Sequence, residues 1–220
     1  MSVINPAELL SSIGVLDEPN HKRRFKSILL LGPPGSGKGV QGDILMSIPG
    51  FYRFSSGEVF RRLDVTSKLG RVCLEYSTRG ELVPDELVIQ LWLANIYAHS
   101  VLGDFKPARD LLVLDGLPRT VVQAQMLEPY LDVHKIIHLE CRDLEALVER
   151  LRHRALKEGR PDDTDEKVIR NRFTVYQNET QSVLAFYAPE KIASLDCLGT
   201  PVQVAALVLT ALVPATKSRG

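Results

Sequence analysis

The sequence predicts an α/β fold in which a five-stranded parallel sheet is covered by helices on both faces. A short apolar run, residues 27–31, leads directly into a glycine-rich turn. Further strand-like runs follow at residues 51–55, 111–114, 135–139 and 191–195. Helical patterns separate these runs, and such alternation is typical of a doubly wound sheet. The last three runs are short and almost wholly apolar, as expected of strands buried on both faces.

The helices are predicted from the spacing of their apolar residues and from the signals at their ends. Pro49-Gly50 ends the first of them, Gly80 closes the second, and Pro84 and Pro201 each suit a first helical turn. The predicted helices cover residues 37–46, 56–80 with a break near 64–66, a stretch from 84, 144–155, 168–187 and a stretch from 201. Residues 1–25 form an extension before the first strand, with a helix expected around residues 7–13.

Length and charge narrow the class of protein. A chain of 220 residues fits one α/β domain. Its 27 basic residues balance 27 acidic ones, which excludes a global polycation that binds nucleic acid or anionic membranes. The three cysteines show no C-x-x-C spacing, so we expect reduced thiols and no structural zinc. No apolar run has membrane-spanning length, and a cytoplasmic protein is therefore expected.

The glycine-rich turn at residues 32–41 has the pattern of a phosphate-binding loop. It reads GPPGSGKGVQ, which contains the spacing G-x-x-x-x-G-K after a strand. Glycines allow the backbone N–H groups to converge on phosphate oxygens, and Lys38 adds a charge for the outer phosphates. Gly39 and Val40 stand where a magnesium-binding hydroxyl is usual. A turn without a ligand is the alternative interpretation.

A carboxylate and an arginine follow the third predicted strand. Asp115 ends this strand and Arg119 lies four residues further on. The carboxyl edge of such a sheet is where ligands bind, so Asp115 is predicted to hold magnesium through water and Arg119 to bind phosphate. The alternative is a surface ion pair between these two residues.

More arginines follow in the second half of the chain. Arg150 and Arg154 are four residues apart on one helix, and Arg160 lies in the loop after it. Arg172 lies on a largely apolar helix face, where an unpaired cation is unfavourable, so it needs an anionic partner. Converging cations are what phosphoryl transfer requires, although each arginine alone could form a salt bridge. Asp163, with Glu166 three residues on, could instead be a helix N-cap.

Five motifs occur in the order and spacing of the adenylate kinase family, and the resemblance spans about residues 27–213. These motifs are residues 32–39, 55–58 with Arg61, 82–86, 115–120 with Gln123, and 159–163 with Arg172. The resemblance implies a P-loop three-layer fold and a kinase that binds ATP, AMP and ADP with Mg²⁺. It divides the chain into an extension (1–25), a core (26–55 and 86–220), a small helical NMP-binding region (56–85) and a short lid loop (154–162). The short form implies no zinc and a monomer.

The resemblance also implies roles for individual residues. The ATP-binding residues would be Gly35, Ser36, Gly37, Lys38, Gly39, Val40, Arg150, Arg154 and Thr200. The AMP-binding residues would be Ser56, Arg61, Glu81, Leu82, Val83, Gly116, Leu117, Pro118, Arg119, Gln123, Arg160 and Arg172. The catalytic residues would be Lys38, Asp115, Arg119, Arg154, Arg160 and Arg172, with Asp115 as the water-mediated metal ligand.

Four residues depart from the family pattern. Val40 and Ser56 replace threonines, Glu58 replaces aspartate, and Leu117 replaces the usual phenylalanine. These changes leave the reaction class intact but weaken the argument for adenine as the preferred base. The sequence therefore predicts an adenylate kinase, with a UMP/CMP kinase of the same fold and a non-catalytic nucleotide-binding regulator as alternatives. Gln123 and Ser56 favour AMP, because an amide can pair with an adenine edge.

Overall fold

The computed structural model describes residues 24–216, and its centre is a five-stranded, all-parallel sheet. The strands are β1 (Phe25–Leu31), β2 (Phe51–Ser55), β3 (Leu111–Asp115), β4 (Leu131–Glu140) and β5 (Ile192–Asp196). Their order in the sheet is β2-β3-β1-β4-β5. The predicted sheet is thereby confirmed, whereas the helix expected around residues 7–13 lies outside the described residues.

Helices connect the strands and cover both faces of the sheet. They are α1 (Lys38–Met46), α2 (Ser56–Arg62), α3 (Lys68–Arg79), α4 (Asp85–Leu102), α5 (Val121–Leu127), α6 (Leu144–Glu158), α7 (Glu166–Val175), α8 (Val183–Phe186) and α9 (Pro201–Thr216). The break predicted near residues 64–66 separates α2 from α3, and Gly80 caps α3 in the left-handed conformation.

Two apolar cores lie on opposite faces of the sheet because successive side chains of a strand alternate. On β1, Leu29 and Leu31 belong to one core, and Ile28 and Leu30 to the other. Parallel pairing of β1 with β3 on one side and β4 on the other places the carboxyl ends of these strands at the same edge of the sheet. Leu30 pairs with Asp115 of β3, and Leu31 pairs with His138 of β4.

The structure corrects the predicted helix over residues 168–187. A π turn, Tyr176–Thr180, interrupts it between α7 and α8. Apolar spacing missed the break because a π turn inserts a residue without ending the apolar pattern. The Tyr176 hydroxyl lies 2.9 Å from Nε2 of His138, so the π turn is tied to the carboxyl end of β4.

Two further boundaries differ from the prediction. β4 begins at Leu131, four residues before the predicted run, and the prediction missed this start because polar Asp132 and His134 interrupt the apolar pattern. Asp132 pairs with Lys26 of β1, while His134 lies where the register between the two strands shifts. α6 continues to Glu158, so most of the segment 154–162 is helical rather than a loop. A one-turn 3₁₀ helix, Pro161–Asp163, completes it.

Candidate active site

The phosphate-binding loop leaves β1 at the centre of the sheet and enters α1. Gly32, Gly35 and Gly37 all have positive φ angles, as this tight turn requires. At Gly32 a Cβ atom would lie only 2.5 Å from the carbonyl oxygen of Leu139. A side chain is therefore excluded where β1 passes the end of β4.

Lys38 folds back over this loop. Its ammonium donates hydrogen bonds to the carbonyl oxygens of Gly32 and Pro33 at 2.7 and 2.8 Å. Loss of hydration lowers the pKa of Lys38 to about 7, although the negative charge of Asp115 opposes this change. Carbonyl oxygens are weak partners for an ammonium ion, so an anionic ligand would hold the charged form better.

Basic side chains from separate segments converge beside Lys38. Loss of hydration, reinforced by the charges of Arg172 and Arg61, lowers the pKa of Arg119 to about 10. Desolvation and the charge of Arg160 likewise lower the pKa of Arg61, which keeps contact with solvent. The cationic cluster formed in this way contains Lys38, Arg61, Arg119, Arg154, Arg160 and Arg172. Mutual repulsion of this kind favours the binding of a polyanion.

Asp163 is the carboxylate that holds two members of this cluster together. Its side chain is fully buried and lies 2.6 Å from Nη2 of Arg154 and 2.5 Å from Nη1 of Arg172. The anionic partner predicted for Arg172 is thereby confirmed. The alternative N-cap role of Asp163 is wrong, because Asp165 accepts the capping hydrogen bond at the start of α7. Arg160 pairs instead with Glu158, at 2.6 Å.

Asp115 has a partner that sequence analysis missed. Its Oδ2 accepts a 2.6 Å hydrogen bond from Arg53, a buried residue in the middle of β2. The alternative surface pair of Asp115 with Arg119 is therefore wrong, since Asp115 is buried and the Arg119 guanidinium donates to the Gly116 carbonyl. A signal was present in the sequence, because a charged residue inside a strand with hydrophobic neighbours needs a partner.

The predicted acceptor residues meet at the loop after β3. Ser56 donates a 2.8 Å hydrogen bond to the carbonyl of Gly116. Buried Gln123 accepts from the backbone N–H of Arg119 through Oε1 and donates to Asp85 through Nε2. The amide of Gln123 is therefore held in one orientation, and Leu117 and Pro118 lie in the same loop, with Leu117 fully buried.

A cavity of about 330 Å³ lies next to this loop. Its lining includes Glu81, Leu82 and Val83, the segment that was predicted to surround the base of the acceptor. Val175 and Glu179 also line it, so the π turn after α7 contributes to the cavity.

On the other side of the phosphate loop, Arg150 lies against the segment that precedes α9. Its guanidinium donates to the carbonyl of Cys197 at 2.8 Å and to that of Gly199 at 3.4 Å. Thr200, the next residue, accepts a bond from the backbone N–H of Gln203 at the start of α9. Arg150 and Thr200 are thus brought together, while Val40 on α1 is 47% exposed.

The donor chemistry at Asp115 suits a magnesium ion held with a nucleotide. Mg²⁺ binds through one or two carboxylates, with waters and substrate phosphates as its other ligands, and Asp115 lies beside the phosphate loop. Within residues 24–216 no cluster of three or more histidines, cysteines or acidic residues could form a closed metal site.

Comparison with known proteins identifies the family. The family model described as adenylate kinase matches residues 30–192. The chain belongs to the adenylate kinase family. An adenylate kinase of Maricaulis maris is 37% identical over 193 residues, which cover 84% of this chain and 98% of the relative. An adenylate kinase of Mycobacterium leprae (strain Br4923) is 38% identical with the same coverage, and one of Parabacteroides distasonis is 35% identical, covering 79% and 90%.

Membership in the adenylate kinase family makes the chain a phosphotransferase of the nucleoside monophosphate kinase class. Members of this family bind ATP, AMP and ADP and use Mg²⁺ with ATP. In the described part of the chain, no helix is both long and apolar enough to span a bilayer.

Proposed function

We propose that the chain catalyses reversible transfer of the γ-phosphoryl group of ATP to AMP, giving two molecules of ADP. The main support is the cationic cluster beside the phosphate loop. The pKa values of Lys38, Arg61, Arg119 and Arg154 are each lowered in part by the charges of neighbouring cations in this cluster. The carboxylates that face the cluster are Glu58, Asp115, Glu158, Asp162 and Asp163. Two adjacent polyphosphate or phosphate groups would supply the missing negative charge.

Donor and acceptor would bind on opposite sides of this cluster. Residues 35–40 would surround the ATP phosphates, and Arg150 with Thr200 would contact the adenine beside the segment before α9. Ser56, Arg61, Gln123 and the loop 116–119 would hold AMP, with its base in the cavity lined by residues 81–83. The fixed amide of Gln123 favours adenine, since it retains one N–H donor and one acceptor lone pair.

Transfer would depend on charge stabilisation more than on covalent chemistry. Lys38 would contact the β- and γ-phosphates, while Arg119, Arg154, Arg160 and Arg172 would stabilise the charge on the transferred group. No general base is needed, because the attacking phosphate oxygen of AMP is already anionic. Bound with ATP, Mg²⁺ would neutralise phosphate charge, and Asp115 is the residue that would hold it through water.

The region 56–85 and the segment 154–162 are proposed to close over both substrates. Arg61 lies in the first of these segments, while Arg154 and Arg160 lie in the second, so closure would bring these cations of the cluster onto the phosphates. Closure would also exclude water and prevent ATP hydrolysis.

A comparison of nucleoside monophosphates tests the proposal. The purified protein is incubated with MgATP and AMP, UMP, CMP or GMP in turn, and kcat/KM for diphosphate formation is measured. We expect AMP to give the highest value. A preference for UMP or CMP would instead support the related pyrimidine kinase, and the absence of any acceptor-dependent turnover would support a non-catalytic nucleotide-binding protein.

A further inference from the structure

Arg53 is an unusual buried cation that joins three parts of the site. Its side chain is only 5% exposed, and one guanidinium contacts three carboxylates at 2.6 Å: Asp43 of α1, Glu58 of α2 and Asp115 of β3. Asp43 and Glu58 are 67% and 38% exposed, so solvent weakens those two pairs. Asp115 is 9% exposed, which makes it the principal partner of Arg53.

The surrounding backbone is adapted to this arginine. Gly42 lies inside α1, where glycine costs about 0.5–1 kcal/mol relative to alanine. A Cβ atom at this position would lie 2.4 Å from Nε and 2.6 Å from Cδ of Arg53. Gly42 therefore leaves the space beside α1 that the Arg53 side chain occupies. The helix tolerates a destabilising residue at the point where Arg53 packs against it.

We propose that Arg53 is a positioning residue that sets the affinity of the nucleotide site for its divalent cation. Its guanidinium fixes Asp115 through Oδ2 and cancels part of the negative charge that this carboxylate presents to the cation. The inference rests on the proposed function, because Asp115 influences a cation only if the chain binds a metal–nucleotide complex.

Binding of Mn²⁺, measured by the loss of its free electron paramagnetic resonance signal, tests this inference without turnover. The titration uses the imido analogue of ATP, whose γ-phosphoryl group is not transferred, with protein in excess over the analogue. Arg53→Gln removes a positive charge beside Asp115 and should tighten Mn²⁺ binding by about tenfold. Arg53→Lys, which keeps the charge, should stay near the wild-type affinity.

Glu58→Gln supplies a second variant whose expected effect has the opposite sign. It leaves the charge of Arg53 less compensated and should weaken Mn²⁺ binding by about twofold to fivefold. Because Glu58 is partly exposed, we expect Glu58→Gln to fold. Its Mn²⁺ affinity therefore tests the inference even if Arg53→Gln does not fold. Arg109→Gln is the matched control, since Arg109 is exposed just before the opposite end of β3 and should have no effect.

The possible outcomes separate the two proposals. Opposite shifts for Arg53→Gln and Glu58→Gln support the charge effect of Arg53. Unchanged affinities, or weaker Mn²⁺ binding in both variants, would overturn it while leaving the proposed function intact. If calorimetry detects no binding of the analogue to the wild-type protein, the proposed function itself fails.

Discussion

Replacement of Asp163 by asparagine should destabilise the protein in the absence of nucleotide. The carboxylate is fully buried and accepts hydrogen bonds from Nε of Arg154 at 2.7 Å and from Nη1 of Arg172 at 2.5 Å. Asparagine keeps the size of the side chain but presents N–H donors to guanidinium donors and removes the charge that both arginines share.

The size of the expected loss of stability follows from how deeply the ion pairs of Asp163 are buried. Removing one partner of a fully buried ion pair costs roughly 3–5 kcal/mol. Arg154 and Arg172 remain 26% and 19% exposed and can recover some hydration, which reduces the expected loss to about 2–3 kcal/mol. For a chain of this size that loss lowers Tm by roughly 4–12 °C.

Thermal unfolding with and without saturating ADP measures this effect. ADP should raise the Tm of Asp163→Asn more than that of the wild type, because phosphate oxygens can replace the lost carboxylate as partners of the arginines. The matched control is Asp165→Asn, two residues away, where asparagine also serves as an N-cap and stability should change little. Equal Tm values for the two variants would refute the reasoning about Asp163.

Three further predictions test other parts of the site. Arg119→Ala should lower turnover by orders of magnitude while Tm stays close to that of the wild type; near-normal kcat would contradict the role given to Arg119. Lys38→Met should raise the Tm of the nucleotide-free protein most below about pH 7, where Lys38 is charged in both the folded and the unfolded state and its burial is unfavourable. The gain should shrink between pH 7 and pH 10.5, because over this range the folded state has released the lysine proton that the unfolded chain still holds. A gain that grows with pH would contradict the lowered pKa. Gly42→Ala should destabilise the wild type by about 1–2 kcal/mol, because the added methyl group collides with Arg53. In an Arg53→Ala background the same change should stabilise the protein by about 0.5–1 kcal/mol. Chemical denaturation measures both effects, and equal effects in the two backgrounds would show that the two residues are not coupled.

The sequence sufficed for features that depend on local patterns. Short apolar runs identified the parallel strands, and the G-x-x-x-x-G-K spacing identified the turn in which Gly35 and Gly37 adopt positive φ. The need of Arg172 for an anion followed from its place on an apolar helix face, and Asp163 meets that need. Each of these inferences uses residues that are close in sequence or share one periodic element.

Features that depend on contacts between distant segments could not be predicted in this way. Arg53 and Asp115 are 62 residues apart, and their pairing becomes visible only when β2 lies beside β3. The capping pattern at Asp163 competed with ion pairs to arginines nine residues away on either side, which lie on two different helices, and the structure contains the ion pairs. Tyr176 of the π turn contacts His138 of β4, a residue 38 positions away in the sequence.

The stoichiometry of the reaction tests the central claim most directly. ATP, ADP, AMP and inorganic phosphate are quantified by chromatography while the protein reacts with equal amounts of MgATP and AMP. The arrangement of the two substrate regions around one cationic cluster predicts two ADP for each AMP consumed, with no release of inorganic phosphate. Formation of ADP together with inorganic phosphate, at a rate independent of AMP, would contradict phosphoryl transfer between two bound nucleotides.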